Sequence, residues 1–271
     1  MHGKKGLVSA WLLYALFIVT ETGALEPVTA LDDGFTIPSK SGMEEASLHY
    51  PGAESCIKGI FATAAWNRPF GIDDLSVTTF HAGTGFGKTG ISVSYSGSGF
   101  DLYGDEQEKL GISYALFDGI SCGFRVTRSA LRIRGFGDAS AWSADMGVII
   151  RLVESVYIAG AFEDLAGAEL GVSREPLDGR TRFSTAWAVP GDITLLASLT
   201  KVRRFDPSCT GGFTAEIFPS LTVGAAGATE PDRMEFLAAF HIRGMVFSYR
   251  GMYHRDLGMS HGFSLSSQFR K

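Results

Sequence analysis

From about Ser76 to Phe269 the chain repeats one device: short runs in which every second residue is apolar and the residues between are Gly, Ala, Ser or Thr. Successive side chains of a strand point to opposite faces, so each run predicts a strand with one greasy face and one small, weakly polar face. Thr89, Ile91, Val93 and Tyr95 oppose Gly90, Ser92, Ser94 and Ser96, and Leu110, Ile112, Tyr114 and Leu116 oppose Gly111, Ser113 and Ala115. The alternation recurs over Ile120–Val126, Met146–Leu152, Phe183–Val189, Phe213–Ile217, Met234–Ile242, Met245–Tyr249 and Phe263–Phe269. Weaker runs near 76–82, 155–162, 168–174, 193–201 and 220–228 bring the series to about fourteen strands. Twelve is the alternative, because the breaks between Ser155 and Pro190 do not all fit an up-and-down order.

Strands of about 8–12 residues match what a tilted strand needs to cross a bilayer. A closed barrel leaves no unpaired strand edge in lipid. The expected fold is therefore all-β: an antiparallel up-and-down transmembrane barrel over residues 73–271, preceded by an irregular segment over 25–72. An even strand number puts both ends of the barrel in the periplasm, with tight turns at Phe117–Gly119, Pro219–Ser220 and Arg243–Gly244. Longer connections at 97–107, 135–140, 203–209 and 254–260 then face outward. A soluble secreted β-sandwich is the competing architecture, because alternation alone does not say whether lipid or protein covers the greasy face.

The N-terminus supplies the compartment. Lys4 and Lys5, an apolar stretch from Gly6 to Val19, and small residues Thr22 and Ala24 follow signal-peptide grammar over residues 1–24, with cleavage before Leu25. The stretch is short for a transmembrane helix, which leaves an uncleaved anchor as the weaker alternative. Export and alternation together predict a cell outer-membrane protein surrounded by outer-membrane lipid.

Composition agrees with that class. Glycine is frequent at 34 of 271 residues, charged residues make up only 20%, and the net charge of −5 lacks the clustered basic face of a nucleic-acid binder. Three cysteines, Cys56, Cys122 and Cys209, cannot all pair, so disulfides do not frame the fold. Nothing in the spacing of Cys and His implies a metal or other cofactor.

The face opposite the greasy one should line the lumen, and its small residues suit a packed or plugged barrel more than an open sieve. The exceptions, Arg151, Glu169, Arg182, Glu216, Glu235, His241 and Arg250, have both signs and would pair across the lumen. Residues 25–72 lack alternation, carry Pro27, Pro38, Pro51 and Pro69, and hold a short helix near Gly42–Leu48. They would insert as a plug or lie in the periplasm. Arg128, Arg132 and Arg134 continue the apolar parity of Ile120 to Val126. A charge on a lipid face costs about 2–4 kcal/mol near the midplane, so these three mark the outer rim, as a solvated strand end or a basic patch for acidic lipid headgroups.

Catalysis finds little support. Asp256, Ser260 and His261 fall in one loop, with His241, His254 and Ser264 near, but adjacency supplies neither a positioned nucleophile nor an oriented base. No nucleophile elbow is present, and Gly83–Lys88 is too short and too β-rich in setting for a phosphate loop.

The run Leu257-Gly258-Met259-Ser260-His261-Gly262-Phe263-Ser264-Leu265 resembles the closing hairpin of PorV/PorQ-type outer-membrane barrels, relatives of the FadL-like transporters. Ala65-Trp66-Asn67-Arg68-Pro69 is similar to that family's Asn-Pro segment ahead of the first strand, with Arg68 interrupting the pair, and Leu116 to Gly123 resembles its tight turn. Residues 155–190 look shortened, and Arg270 and Lys271 follow the terminal Phe269. The resemblance implies a barrel that takes up small or hydrophobic solutes, or else a scaffold partnering secretion-system or surface proteins. It does not imply an enzyme. Expressed protein should therefore fractionate with the outer membrane and migrate differently on a gel before and after boiling; freely soluble, unshifted protein would instead indicate the sandwich.

Overall fold

The computed structural model describes residues 35–39, 42–171 and 175–269. The expected signal peptide, and Arg270 and Lys271, lie outside the described residues. Fourteen antiparallel strands close into one barrel: β1 (Gly59–Arg68), β2 (Val77–Phe86), β3 (Thr89–Phe100), β4 (Tyr103–Phe117), β5 (Ile120–Ile133), β6 (Gly137–Val153), β7 (Val156–Phe162), β10 (Arg180–Val189), β11 (Ile193–Val202), β12 (Ser208–Phe218), β13 (Leu221–Ala228), β14 (Arg233–Ile242), β15 (Met245–His254) and β16 (Gly258–Phe269). A separate two-residue hairpin, β8 (Glu169–Leu170) with β9 (Glu175–Pro176), interrupts the connection from β7 to β10. Closure is made by β1 against β16, from Ile60 opposite Phe269 to Arg68 opposite His261.

The strand number agrees with expectation, but the membership differs. The run near 168–174 is part of the β8–β9 excursion and not a wall strand, which removes the conflict in the up-and-down order. In its place β1 begins at Gly59, ahead of the expected start at residue 73. Its outer face, Ile60, Ala62, Ala64 and Trp66, carries two alanines where other strands carry large residues, so its alternation is faint. The connections expected at 97–107 and 135–140 are mostly strand: β3 and β4 pair up to Phe100 opposite Tyr103, and β5 and β6 up to Ile133 opposite Gly137.

Which face is greasy settles the architecture. Ile60, Phe80, Ile91, Leu110, Phe124, Met146, Phe183, Leu195, Phe213, Phe236, Phe247 and Leu265 are all exposed on the outside. Thr63, His81, Ser92, Ser113, Arg125, Asp145, Arg182, Thr210, Glu235, Ser248 and Ser264 are buried inside. A soluble sandwich would have its apolar faces meeting in a dry core; this molecule is inside-out relative to that, as a barrel in lipid must be. The sandwich alternative is thereby excluded.

The end bearing Gly59 and Phe269 is here the lower end. Its turns are short: Gly87–Lys88, Asp118–Gly119, Glu154–Ser155, Pro190–Asp192, Pro219–Ser220 and Arg243–Gly244. The wall is uneven at the upper end, where the 17 residues of β6 stand beside the 7 of β7. The β7–β10 connection fills that step, Leu165 N–H donating to Ala144 O at 2.8 Å.

The described part of the N-terminal segment lies inside the barrel. It contains α1 (Met43–Ala46) and a turn over Glu54–Cys56, and Met43, Ala46, Tyr50, Ala53 and Ile57 are buried with Phe61, Ile149, Ala159 and Ala161 of the wall. Glycine makes the seat. A Cβ on Gly147 would collide with the Pro51 backbone, one on Gly123 with Gly52, and one on Gly90 with Glu54 and Ser55. The lumen-facing glycines of β3 to β6 are thus the sites where two backbones approach. Gly147→Val should therefore destabilise the folded barrel by about 1–3 kcal/mol through overpacking. Gly227→Ala, with open space around its Cβ, should leave it unchanged; the temperature at which the unboiled gel band disappears measures both.

Candidate functional site: the lumen and the segment seated in it

Two chemically different surfaces face the lumen. The first, on β2 to β6, is polar and grips the segment. Arg125 is only 2% exposed, and donates from Nη1 to Leu48 O at 2.7 Å and from Nη2 to Ser47 O at 2.5 Å. Its Nη2 also lies 3.6 Å from Glu54 Oε1. Glu54 is equally buried, and its carboxylate accepts from Gly52 N–H at 3.0 Å and from Ser92 Oγ at 2.8 Å. Burying such a pair is acceptable only when the remaining lone pairs and protons find partners, as here. Ser47 Oγ and His81 Nε2 share a further hydrogen bond of 2.6 Å.

Across the barrel, Arg250 of β15 pairs with Glu45 of α1, which also accepts from Ser264 Oγ at 3.3 Å. The Arg182 guanidinium stands 5.7 Å from the ring centroid of Tyr50, within cation–π range. Higher up, buried Asp145 accepts from Thr127 Oγ1 at 2.8 Å and from Asp164 N–H at 3.0 Å. Asp164 in turn lies 3.5 Å from Arg203. Arg204 holds Asp178 at 3.1 Å and donates to Pro176 O at 2.6 Å, so the excursion carrying β8 and β9 is tied to the β11–β12 connection.

The second surface, on β10, β11, β13 and β14, is apolar. Phe35 and Ile37 are buried on Ala186, Leu196 and Ala226, with Tyr157 and Leu237 packed alongside. Beside Phe35 a cavity of about 20 Å³ is lined by Asn67, Glu235, Arg250, Met252 and Ser260 among others. That is room for a water, not for a solute.

The expected lumen residues separate into three groups. Arg182, Glu235 and Arg250 are buried in the lumen, Glu235 pairing with Arg233 at 2.8 Å. Arg151, Glu216 and His241 have lumen parity at the lower end: Arg151 pairs with Asp118 at 2.6 Å, Glu216 is exposed, and His241 shares a 3.0 Å hydrogen bond with Thr222. Glu169 sits on β8, in the two-stranded hairpin and not on a wall strand. At the rim, Arg128 pairs with Glu108 at 3.0 Å and stands opposite Trp142. Arg132 is exposed near the end of β5, and Arg134 lies in the turn after it. No bulge interrupts β5. Ser260 accepts from Phe70 N–H inside the barrel, while His261 shares a hydrogen bond with Tyr249 OH on the outside. These neighbours in sequence therefore point to opposite faces.

Arg125, Glu54, Glu45 and Asp145 were not among the expected residues. Parity contained half the signal, since Arg125 shares its face with Ser121 and Gly123; no alternation marks Glu45 or Glu54. Arg125→Met leaves Glu54 buried without its cation, which should destabilise the seated segment by about 3–5 kcal/mol. Limited proteolysis should then cut near Lys58 in the variant and spare it in the parent, with the barrel band still heat-modifiable.

No protein-family profile matches the chain, and no curated protein matches it. Among solved structures, the toluene transporter TbuX of Ralstonia pickettii superposes with a TM-score of 0.62 at 9% identity, over 84% of this chain and 94% of that one. The toluene transporter TodX of P. putida gives 0.59 at 9% identity, over 84% and 94%. A FadL homologue of Pseudomonas aeruginosa gives 0.58 at 10%, over 83% and 94%. At these identities the likeness is one of fold, and the chain has the closed β-barrel fold of the FadL-type outer-membrane proteins.

Proposed function

We propose that the protein is an outer-membrane channel for small apolar solutes, closed in the observed conformation by its own N-terminal segment. The observation that carries this reading is the apolar lumen surface of Ala186, Leu196, Ala226 and Leu237, with Tyr157 of β7 alongside, on which Phe35 and Ile37 of the same chain are packed. A barrel whose sole task was structural could satisfy its lumen with ion pairs throughout; a greasy strip along one side suits a greasy passenger. The similar structures described as toluene transporters support the same class. On this reading export uses the signal peptide over 1–24, the lower end is periplasmic, and Arg182, Glu235 and Arg250 belong to the polar set that holds the segment. Arg128, Arg132 and Arg134 form the solvated margin above the lipid belt.

A second reading has one observation in its favour. The upper extension of β3 to β6 ends in exposed Phe100, Leu102, Tyr103 and Phe136, the last 91% exposed, well above the aliphatic belt. Apolar residues held in water mark interaction surfaces, and a surface or secretion partner would use them. Phe136→Ser with Leu102→Ser would then abolish co-purification of such a partner and leave solute uptake intact.

Uptake of labelled toluene by cells with a lipopolysaccharide outer leaflet tests the first reading. Expressing the protein should accelerate uptake over the vector control. Leu196→Arg, which places a charge on the apolar strip, should return it to the control level while the barrel still shows heat-modifiable migration. Equal uptake with and without the protein would refute the channel.

A further inference from the structure

We propose that the outer face of β3 to β6 is the interface of a symmetric dimer, and that its partner is a second copy of this chain in the same membrane. The inference is independent of whether the barrel conducts. It rests on one row of outward side chains immediately above the lipid belt. Tyr95 of β3 stands opposite Glu108 of β4, Glu108 opposite Arg128 of β5, and Arg128 opposite Trp142 of β6. The row thus reads aromatic, acid, base, aromatic. No register shift interrupts the pairing of these strands above Ala115, so the four side chains share the face of Leu110 and Phe124. Trp142 is 65% exposed, the most open of the described tryptophans, and Glu108 and Arg128 are bridged within the chain at 3.0 Å.

Two barrels inserted the same way in one membrane are exchanged by a two-fold axis along the membrane normal, and a two-fold interface uses the same patch on both copies. An axis running between β4 and β5 lays β3 of one copy against β6 of the other, and β4 against β5. Tyr95 then meets Trp142 of the second copy, and Glu108 meets Arg128 of the second copy, each contact made twice. A face carrying a single sign would set like charges together under the same operation. In the next row up, Gly97 stands opposite Glu106, Glu106 opposite Ala130, and Ala130 opposite Ser140. These small neighbours let the faces approach, and Glu106 falls against Ala130 of the second copy. Headgroups of the outer leaflet are the competing occupant. Exposed Glu106 and Glu108 balance Arg128 and Arg132 on this face, so an anionic headgroup would meet as many carboxylates as guanidinium groups. A second copy satisfies both signs.

Energy transfer between donor-labelled and acceptor-labelled full-length protein, reconstituted together in liposomes of outer-membrane lipids, tests the pairing. The parent should pair. Glu108→Arg alone and Arg128→Glu alone should each lose pairing, because each sets like charges across the axis. Mixed in equal amounts, the two variants should pair again: the arginine introduced at position 108 of one copy meets the glutamate introduced at position 128 of the other. The ion pair within each chain stays broken in that mixture, so the recovery reports contact between copies. Trp142→Ala should weaken association at least about tenfold, as loss of a central aromatic anchor does. Trp187→Ala, on the outer face of β10, should leave it unchanged. Heat-modifiable migration confirms the fold of each variant, and if a charge reversal misfolds, the comparison of the two tryptophan variants decides. No energy transfer between parent copies, or a mixture of reversed variants that fails to pair, would overturn the proposal. A parent that stays single but retains lipopolysaccharide, lost in Arg128→Glu, would also overturn it and assign the row to a headgroup.

Discussion

The pairing of β1 with β16 is the constraint on which the molecule depends. In hydrocarbon no water satisfies an unpaired backbone N–H or C=O, so a sheet that crosses a membrane has to close on itself. Nine consecutive pairs, Ile60 to Arg68 against Phe269 to His261, make that closure. Because β1 follows directly from Ile57 and Lys58, closing the wall also delivers the preceding segment to the lower mouth. The same register that hides the backbone from lipid thereby brings the described residues before Gly59 into the lumen.

Once inside, the segment meets a wall prepared for it on one side. Gly90, Gly123 and Gly147 let the chain from Pro51 to Ser55 lie against the strands at backbone distance. Arg125 then reads the main chain of Ser47 and Leu48 and the carboxylate of Glu54. A buried ion pair of this kind adds little net stability compared with apolar packing, but an unpaired charge there is heavily penalised. Its effect here is orientation: one arrangement satisfies Arg125, Glu54 and Ser92 together, and sliding the segment by a residue breaks all three contacts.

Much of this was legible in the residues, and the part that was not has physical reasons. The wall strands with large outward residues, such as Leu110 to Leu116 or Met234 to Ile242, announced themselves because lipid rewards size at every second position. β1 did not, because Ala62 and Ala64 weaken its outer face. The run near 168–174 looked like a strand because β-propensity is local, whereas membership in the wall is decided by whether a partner exists on both sides. Lumen charges in the strands were readable from parity, as Arg182, Glu235 and Arg250 were. Glu45 and Glu54 were not, because a carboxylate in a non-repeating segment acquires its meaning only from the wall residue it meets.

The split of the lumen into a polar grip and an apolar strip also bears on how each part of the segment is held. Unseating the segment would separate Arg125 from Glu54 and from the carbonyls of Ser47 and Leu48, so several polar contacts would break at once. Phe35 lies on the far side of the lumen from Arg125, in the cluster with Ile37, Ala186, Leu196 and Ala226. The segment is thus held by two different means, polar contacts at Arg125 and apolar packing at Phe35 and Ile37.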